Sequence, residues 1–518
     1  MKFSHASVIS GAYEPEQDGE GPFVWARQDF VLRPNSAARF ARLRMCYHGA
    51  SGTLRLSCLG NVLDEVELCF GWRDYLLDLG DSAGADVTGH VDPLVPAAGD
   101  PRELGVMLRD VELFDDRRLF ENLSRAVANS IRNEAEFRSG ATVLASYPPM
   151  LRINLETRCN IPETGQACVY CAWNWAKDSE RGSPAFRLDT LVELGAFYTS
   201  ATMINDCSIG EPTMNKQFGP IVQTLDADRK SFSFTTNGQT LVERRRRDVL
   251  GKNVVLYVSI DSATAAGYSR FRNDRFDDII ANLRALCRDK RAHGNRPTVY
   301  VSFIAMRSNI AELPEHFDLM ASLGVDEVKL RTLYLDDNID EPVAVNNGYR
   351  FDYAAEVLSM AELAALSPTV RQLAAERQVP VYREWDEFGR DDAQTSCGTL
   401  CAEPWKTLYV LRRGIMPCAY ATQPVAGWQE QDGRPLEQFL SDVWNGPQLR
   451  EIREELAEGR LPEYCRNTPS CPILKRHARD GRTPGLAEPI FPPGQSEPML
   501  LPMIPIESLT RQPATRAA

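Results

Sequence analysis

The spacing of apolar and polar positions changes twice along the chain. Up to about residue 115 the apolar residues come in short alternating runs: Phe23–Ala26, Phe40–Tyr47, Gly52–Cys58, Asp74–Asp78 and Leu104–Phe114. Gly, Asn, Asp and Pro part these runs. Alternation with period two marks half-buried strands, and turn residues at such intervals predict a β-sandwich over 1–115. Residues 116–149 are charged and helix-permissive and read as a linking helix. From Met150 the pattern changes. Strand-like runs at 151–155, 203–207, 232–236, 254–260, 298–304 and 326–331 alternate with helical runs such as Asp277–Cys287 and Leu313–Leu323. Alternating β and α units build a parallel sheet with helices outside, here a partial (β/α)6 barrel over 150–390. Reactive groups in such barrels gather on the loops after the strands. Residues 391–480 hold a hairpin-like stretch, Cys401–Cys418, and a helix near Leu449–Glu458. The proline-rich 481–518 predicts an extended tail, with Met499–Pro505 clamped on a neighbouring surface. The fold class is multi-domain α/β.

A chain of 518 residues holds about two to four domains. Its net charge of −13 argues against a general binder of nucleic acid or of anionic membranes. The cluster Arg244–Arg247 reads as the solvated end of a helix. With no secretion signal and no apolar run long enough to span a bilayer, the expected compartment is the cytoplasm. Thirteen cysteines in such a chain fit metal ligation better than a disulfide framework. Cys46, Cys58 and Cys69 lie within the first strand runs and read as packed thiols.

Two cysteine groups carry the candidate chemistry. Cys159, Cys168 and Cys171, spaced C-x8-C-x2-C, sit on the loop after the first barrel strand. A structural zinc site is closed by four ligands, whereas an iron–sulfur cluster held by three thiolates keeps one iron open to a small molecule. The spacing alone leaves both open. Later strands end in Ser208-Ile-Gly-Glu-Pro212, Thr235-Thr-Asn-Gly238 and Val258-Ser-Ile-Asp-Ser262, with Arg270-Phe-Arg272 following. Glycine admits a ligand close to backbone, a carboxylate binds an ammonium group, and hydroxyl, carboxylate and guanidinium groups suit a ribose and a carboxylate. In this order they form a site for a zwitterion bearing a ribose, such as S-adenosylmethionine. The second group comprises Cys397, Cys401, Cys418, Cys465 and Cys471.

On these motifs, residues 150 to about 335 resemble the radical S-adenosylmethionine enzymes, and residues 397–475 are similar to their SPASM or Twitch extension. Two departures stand out. The family's C-x3-C-x2-C loop has five extra residues here, and its Gly-Gly-Glu-Pro appears as Ile209-Gly-Glu-Pro212. The resemblance implies a [4Fe–4S] cluster on Cys159, Cys168 and Cys171. It implies further that Gly210, Glu211 and Pro212 receive the methionine amine and that Asn237 orients the ligand. Ser259, Asp261 and Arg272 would contact ribose and carboxylate, and Tyr170 would lie against the adenine. An auxiliary [4Fe–4S] cluster would take Cys401, Cys418, Cys465 and Cys471, with zinc as the competing reading. Cys397 is left as an alternate ligand, a packed thiol or a hydrogen donor.

The implied chemistry is reductive cleavage of S-adenosylmethionine to a 5′-deoxyadenosyl radical that takes hydrogen from an unactivated carbon. A flavodoxin- or ferredoxin-type partner would supply the electron. The substrate expected first is a carbohydrate or glycosylated natural product. The chain is similar overall to the sugar epimerases of orthosomycin (avilamycin-type) antibiotic biosynthesis. In that reading Cys207 and Cys397 are the candidate hydrogen donors, and dehydrogenation is the other fate of the same radical. A ribosomally made peptide is the second substrate class. A non-catalytic zinc or iron–sulfur protein is the third possibility, and it leaves the ordered strand-end groups unexplained.

Overall fold

In the computed structural model the described residues are 3, 5–18, 21–96, 102–162, 168–171, 185–333, 343–389, 401–421, 423–466 and 471. The chain divides into two compact units, one running to Ala128 and one starting at Asn129. The expectations for Cys397 and for the tail, including Met499–Pro505, fall outside the described residues.

The first unit is built from antiparallel strands: β1 (Ala6–Ala12), β2 (Glu16–Asp18), β3 (Gly21–Pro34), β4 (Phe40–Cys58), β5 (Asn61–Asp78), β6 (Val87–Asp92) and β9 (Met107–Phe114). A small pair, β7 (Val95–Pro96) and β8 (Glu103–Leu104), lies before the last of them. The seven strands form one continuous sheet rather than two separate ones. The runs read as two strands, 40–47 and 52–58, are one strand with an irregular register between Tyr47 and Ser51. The Tyr47 ring fills the space beside Gly49 and Gly52, where a Cβ would come within 2.6 and 2.7 Å of it. Glycines read as a separator are thus the place where the strand makes room for an aromatic ring. Before this point β4 pairs with β9, and after it with β6. β3 divides its partners in the same way. Two long strands shared between two sets of neighbours fold the sheet over a core that includes Phe30, Met45, Leu54, Val91 and Leu108. Cys46 and Cys58 are buried.

A helix, α1 (Arg117–Arg138), leads from the first unit into the second. The second unit carries β10 (Met150–Ile153), β11 (Met203–Asp206), β12 (Ser231–Thr236), β13 (Val254–Ser259), β14 (Thr298–Ala305) and β15 (Glu327–Thr332). A hairpin of β16 (Val343–Asn346) and β17 (Tyr349–Asp352) stands apart from the main sheet. β18 (Val381–Arg383), β19 (Thr407–Leu411) and β20 (Gly414–Met416) complete the strands. The main sheet has the order β18-β15-β14-β13-β12-β11-β10-β19-β20. Every pairing in it is parallel except the β19–β20 hairpin.

The six strands expected from the alternation stand within two residues of their expected ends. Two further members were not foreseen. β18 adds a seventh parallel strand, and β19, expected only as half of a hairpin, runs parallel to β10 with Arg152 opposite Tyr409. One face of the sheet, with Ile153, Ile204, Phe234, Leu256, Val301 and Leu408, packs into the main core together with helices Phe218–Ala227, Phe276–Lys290 and Leu313–Leu323. Each fully buried side chain of this kind contributes about 1.5–3 kcal/mol. The alternate residues face the other way, and they are polar to an unusual degree: Arg152, Asn205, Ser233, Tyr257, Lys329 and Arg331. The arginine cluster is not simply solvated. Arg245 pairs with Asp248 at 3.0 Å and lies over the Phe218 ring. No helix among the described residues is long and apolar enough to cross a membrane.

Candidate functional site

The loop that follows β10 is tied down by the end of β11. The Leu155 amide donates to Asp206 Oδ1 at 2.9 Å, and the Glu156 amide donates to Ser208 Oγ at 2.9 Å. Ser208 Oγ in turn donates to Asp206 at 2.6 Å. Burial pushes the Asp206 carboxyl up to about 7, against these hydrogen bonds. Burial also acts on Glu156, but the Arg158 guanidinium and the amides of Arg158 and Thr157 outweigh it and hold that carboxylate below its ordinary range. Two residues beyond Ser208, Gly210 lies flat against the cysteine loop. A Cβ there would stand 2.3 Å from the Arg158 carbonyl oxygen and 2.5 Å from the Thr157 carbonyl carbon. The Glu211 amide donates to that Arg158 oxygen at 2.8 Å. Glycine is required here by contact with the loop itself.

Glu211 is 2% exposed and joins three strand ends. Its Oε1 accepts from the Thr213 amide, from Thr213 Oγ1 and, at 2.8 Å, from Thr236 Oγ1. Its Oε2 accepts from the Asn237 amide at 2.7 Å. Burial raises its pKa. Asn237 Nδ2 reaches back to Cys159 Sγ at 3.9 Å and to Asn160 Oδ1 at 2.8 Å. Pro212 is buried at the start of the short turn Pro212–Met214. Glu211, Asn237 and Cys159 thus belong to one cluster.

A second cluster forms around Cys168. Arg272 donates through Nε at 2.9 Å and Nη2 at 2.8 Å to Asp261 Oδ2, which also accepts from Tyr170 Oη. Arg272 Nη1 lies 3.8 Å from Cys168 Sγ. Asp261 Oδ1 accepts from the Ile304 amide at 2.8 Å. The Val169 amide donates to the Phe271 carbonyl at 2.9 Å, so the cysteine loop is pinned to the end of the helix Ala265–Phe271. Tyr170, Asp261 and Arg272, assigned to three parts of one ligand from the sequence, here bind one another beneath Cys168. Ser259 ends β13, half-buried and in register with Ser302.

The three thiols of this loop are near enough for their charges to interact. Burial pushes Cys159 up, and Glu211, Cys168 and Cys171 add to the shift. Burial pushes Cys168 up to about 12, with Arg272 opposing and Cys171 adding. Among the described residues no three His, Cys, Asp or Glu side chains converge as they must on a single metal ion. Three soft thiolates, with a guanidinium beside one of them, fit the cluster.

The second cysteine group is assembled by the fold. Cys401 precedes the short helix Glu403–Lys406 that enters β19, Cys418 follows β20, and Cys465 lies in the short helix Glu463–Arg466. Burial raises Cys401 well above its ordinary value, with Glu403, Cys471 and Cys465 adding. Burial raises Cys418 as well, and Cys465 and Cys471 add to it. Four thiols from distant parts of the sequence are thus near enough for their charges to interact, and soft thiolates are the donors an iron–sulfur cluster takes. Cys207 is half-buried, with Arg152 Nη1 3.9 Å from its sulfur, and burial keeps it a protonated thiol. Arg152, Asn154, Asn205 and Tyr409 were missed from the sequence. Their signal was a polar residue at every other position of strands whose intervening residues are apolar.

No family model matches the chain, and no curated protein matches it in sequence. Solved structures to which it is similar include Streptococcus suis SuiB bound to S-adenosylmethionine, at 14% identity over 70% of this chain and 78% of that one, with a TM-score of 0.44. SuiB bound to the precursor peptide SuiA gives 15% identity, 71% and 78% coverage and a TM-score of 0.45. Native anSMEcpe with bound AdoMet and Cp18Cys peptide gives 12%, 64% and 98%, and 0.40. At such identities and scores the likeness assigns neither an activity nor a substrate.

Proposed function

We propose that this chain is a radical S-adenosylmethionine enzyme. The observation that carries the reading is the C-x8-C-x2-C loop after the first parallel strand, held from the second strand by Gly210 and Glu211. Cys159, Cys168 and Cys171 would hold a [4Fe–4S] cluster, and Cys401, Cys418, Cys465 and Cys471 an auxiliary one. The first cluster, once loaded and reduced by an external one-electron donor, would supply the one-electron cleavage of S-adenosylmethionine to methionine and a 5′-deoxyadenosyl radical. The protein's work is orientation. Glu211 and Asn237 set the position of Cys159, and the Tyr170–Asp261–Arg272 group sets that of Cys168. The Arg272 guanidinium beside Cys168 favours the thiolate that iron requires. Among the described residues Glu211 Oε2 accepts one hydrogen bond, from the Asn237 amide, and a carboxylate oxygen has capacity for a further donor such as an ammonium group.

For the substrate the proposal is a carbohydrate that undergoes epimerisation. Cys207 is the hydrogen donor, a protonated thiol on the polar side of the sheet next to the cysteine loop, and the thiyl radical it leaves would return to the thiol with one electron from the external one-electron reductant and a proton from solvent. The polar inner residues suit an acidic peptide as well, so a ribosomally made peptide is the second reading. The test is anaerobic reconstitution followed by quantification of 5′-deoxyadenosine, with the Cys159/Cys168/Cys171 triple alanine variant as control. Wild type is expected to bind about eight irons, two four-iron clusters, and alone to release 5′-deoxyadenosine. Glycans and peptides are then supplied in deuterated water. Deuterium in a product of unchanged composition supports epimerisation, and zinc in place of iron refutes the proposal.

A further inference from the structure

The side of the main sheet that faces away from the apolar core carries three cations, and their partners differ. Lys329 is paired with Glu327 at 2.8 Å and Arg331 with Glu384 at 3.3 Å. Arg152 has no carboxylate within ion-pair distance among the described residues; Glu403, which accepts from Tyr409 Oη at 2.9 Å, favours its charge from further away. The guanidinium is nonetheless held in place. It lies over the Tyr409 ring, 5.1 Å from its centroid, and Nη1 points to the Cys207 sulfur. Its Nε is buried and unbonded. Two more buried polar atoms without partners stand beside it, Asn154 Oδ1 and Asn205 Oδ1. Asn154 is 8% exposed. Tyr409, Arg152 and Asn205 are directly opposite one another on three adjacent strands, and Asn154 follows Arg152 on the same side.

Buried charges in native proteins are paired, and buried amides are hydrogen-bonded. A guanidinium fixed on an aromatic ring, with no protein carboxylate against it, presents N–H donors of the kind a carboxylate takes up. The position is one register step from Cys207, where the strand passes into the cysteine loop. We propose that Arg152, with Asn154 and Asn205, is a subsite for a carboxylate of the substrate, so that this enzyme acts on an acidic molecule. The two amides take up hydroxyl or amide groups next to that carboxylate. The inference rests on the radical reading for its chemistry but not for its binding measurement.

The test uses full-length, cluster-loaded protein and two matched pairs of probes in ligand-observed NMR: D-glucuronate against D-glucose, and N-acetyl-glutamate amide against N-acetyl-glutamine amide. At least one carboxylate is expected to bind ten-fold or more tightly than its uncharged partner. The pair that shows the preference tells a sugar acid from an acidic side chain. Arg152→Gln is expected to abolish the preference, Arg152→Lys to keep part of it, and Asn205→Ala to weaken carboxylate binding about three-fold. If wild type shows no preference in either pair, the proposal is overturned, and this comparison holds whether or not the variants fold. It is equally overturned if Arg152→Gln loses S-adenosylmethionine binding while keeping the carboxylate preference, which would assign the arginine to the cofactor. Release of 5′-deoxyadenosine by the wild type is read separately, so failure here leaves the radical reading standing.

Discussion

The two cysteine groups reach similar donor sets by opposite routes. Cys159, Cys168 and Cys171 lie on one loop, and the fold's task is to hold that loop still through Asp206, Gly210 and the Arg272–Asp261 pair. Cys401, Cys418, Cys465 and Cys471 come from both ends of the β19–β20 hairpin, a short helix and a position beyond it, and the hairpin that carries two of them is anchored by the pairing of β19 with β10. A local motif depends on its supports, whereas a dispersed site depends on the strand pairing that assembles it. The difference gives each group its own points of failure.

The sharpest way to break the comparison is to remove one group at a time. Alanine at Cys159, Cys168 and Cys171 is expected to abolish 5′-deoxyadenosine formation and to lower the iron content by about half. Alanine at Cys401, Cys418, Cys465 and Cys471 is expected to remove the other half while S-adenosylmethionine cleavage persists. Next in size is Arg272→Met. It strands the buried Asp261 carboxylate, and urea unfolding is expected to show a loss of about 3–5 kcal/mol. Gly210→Ala forces a methyl group against the Arg158 carbonyl, at a cost of about 1–3 kcal/mol together with weaker S-adenosylmethionine binding by calorimetry. The smallest effect is a pH slope. Because the folded-state pKa of Asp206 is raised from 3.8 to about 7, the folded state holds a proton there that the unfolded state releases. This contribution to stability is present at acidic pH and is lost as pH rises between about 4 and 7. From pH 5 to 6 the wild type is expected to lose about 1 kcal/mol relative to Asp206→Asn, read from urea midpoints.

Much of this was legible in the sequence because it is local. Period-two runs bounded by helices gave the six parallel strands, and cysteine spacing marked the first group. What stayed hidden was non-local. Nothing in Thr407–Leu411 says that its neighbour is Met150–Ile153; the glycines at 49 and 52 read as a break because their spacing does not show that the Tyr47 ring folds back over them. The site residues were found as types but not as partners. Asp261 and Arg272 each read as ligand contacts, and the fold also pairs them with one another. Arg152 was passed over because one arginine in a short strand reads as an exposed edge, and only the parallel strands on both sides show that it faces inward.

The central claim is that the first group, and not the second, presents an open iron to S-adenosylmethionine. Its most direct test is electron paramagnetic resonance of the two reduced alanine variants, each left with one cluster, before and after S-adenosylmethionine is added. The account predicts that the spectrum changes in the variant that keeps Cys159, Cys168 and Cys171 and stays the same in the variant that keeps the other four. A change confined to the second group, or no change in either variant, would contradict it.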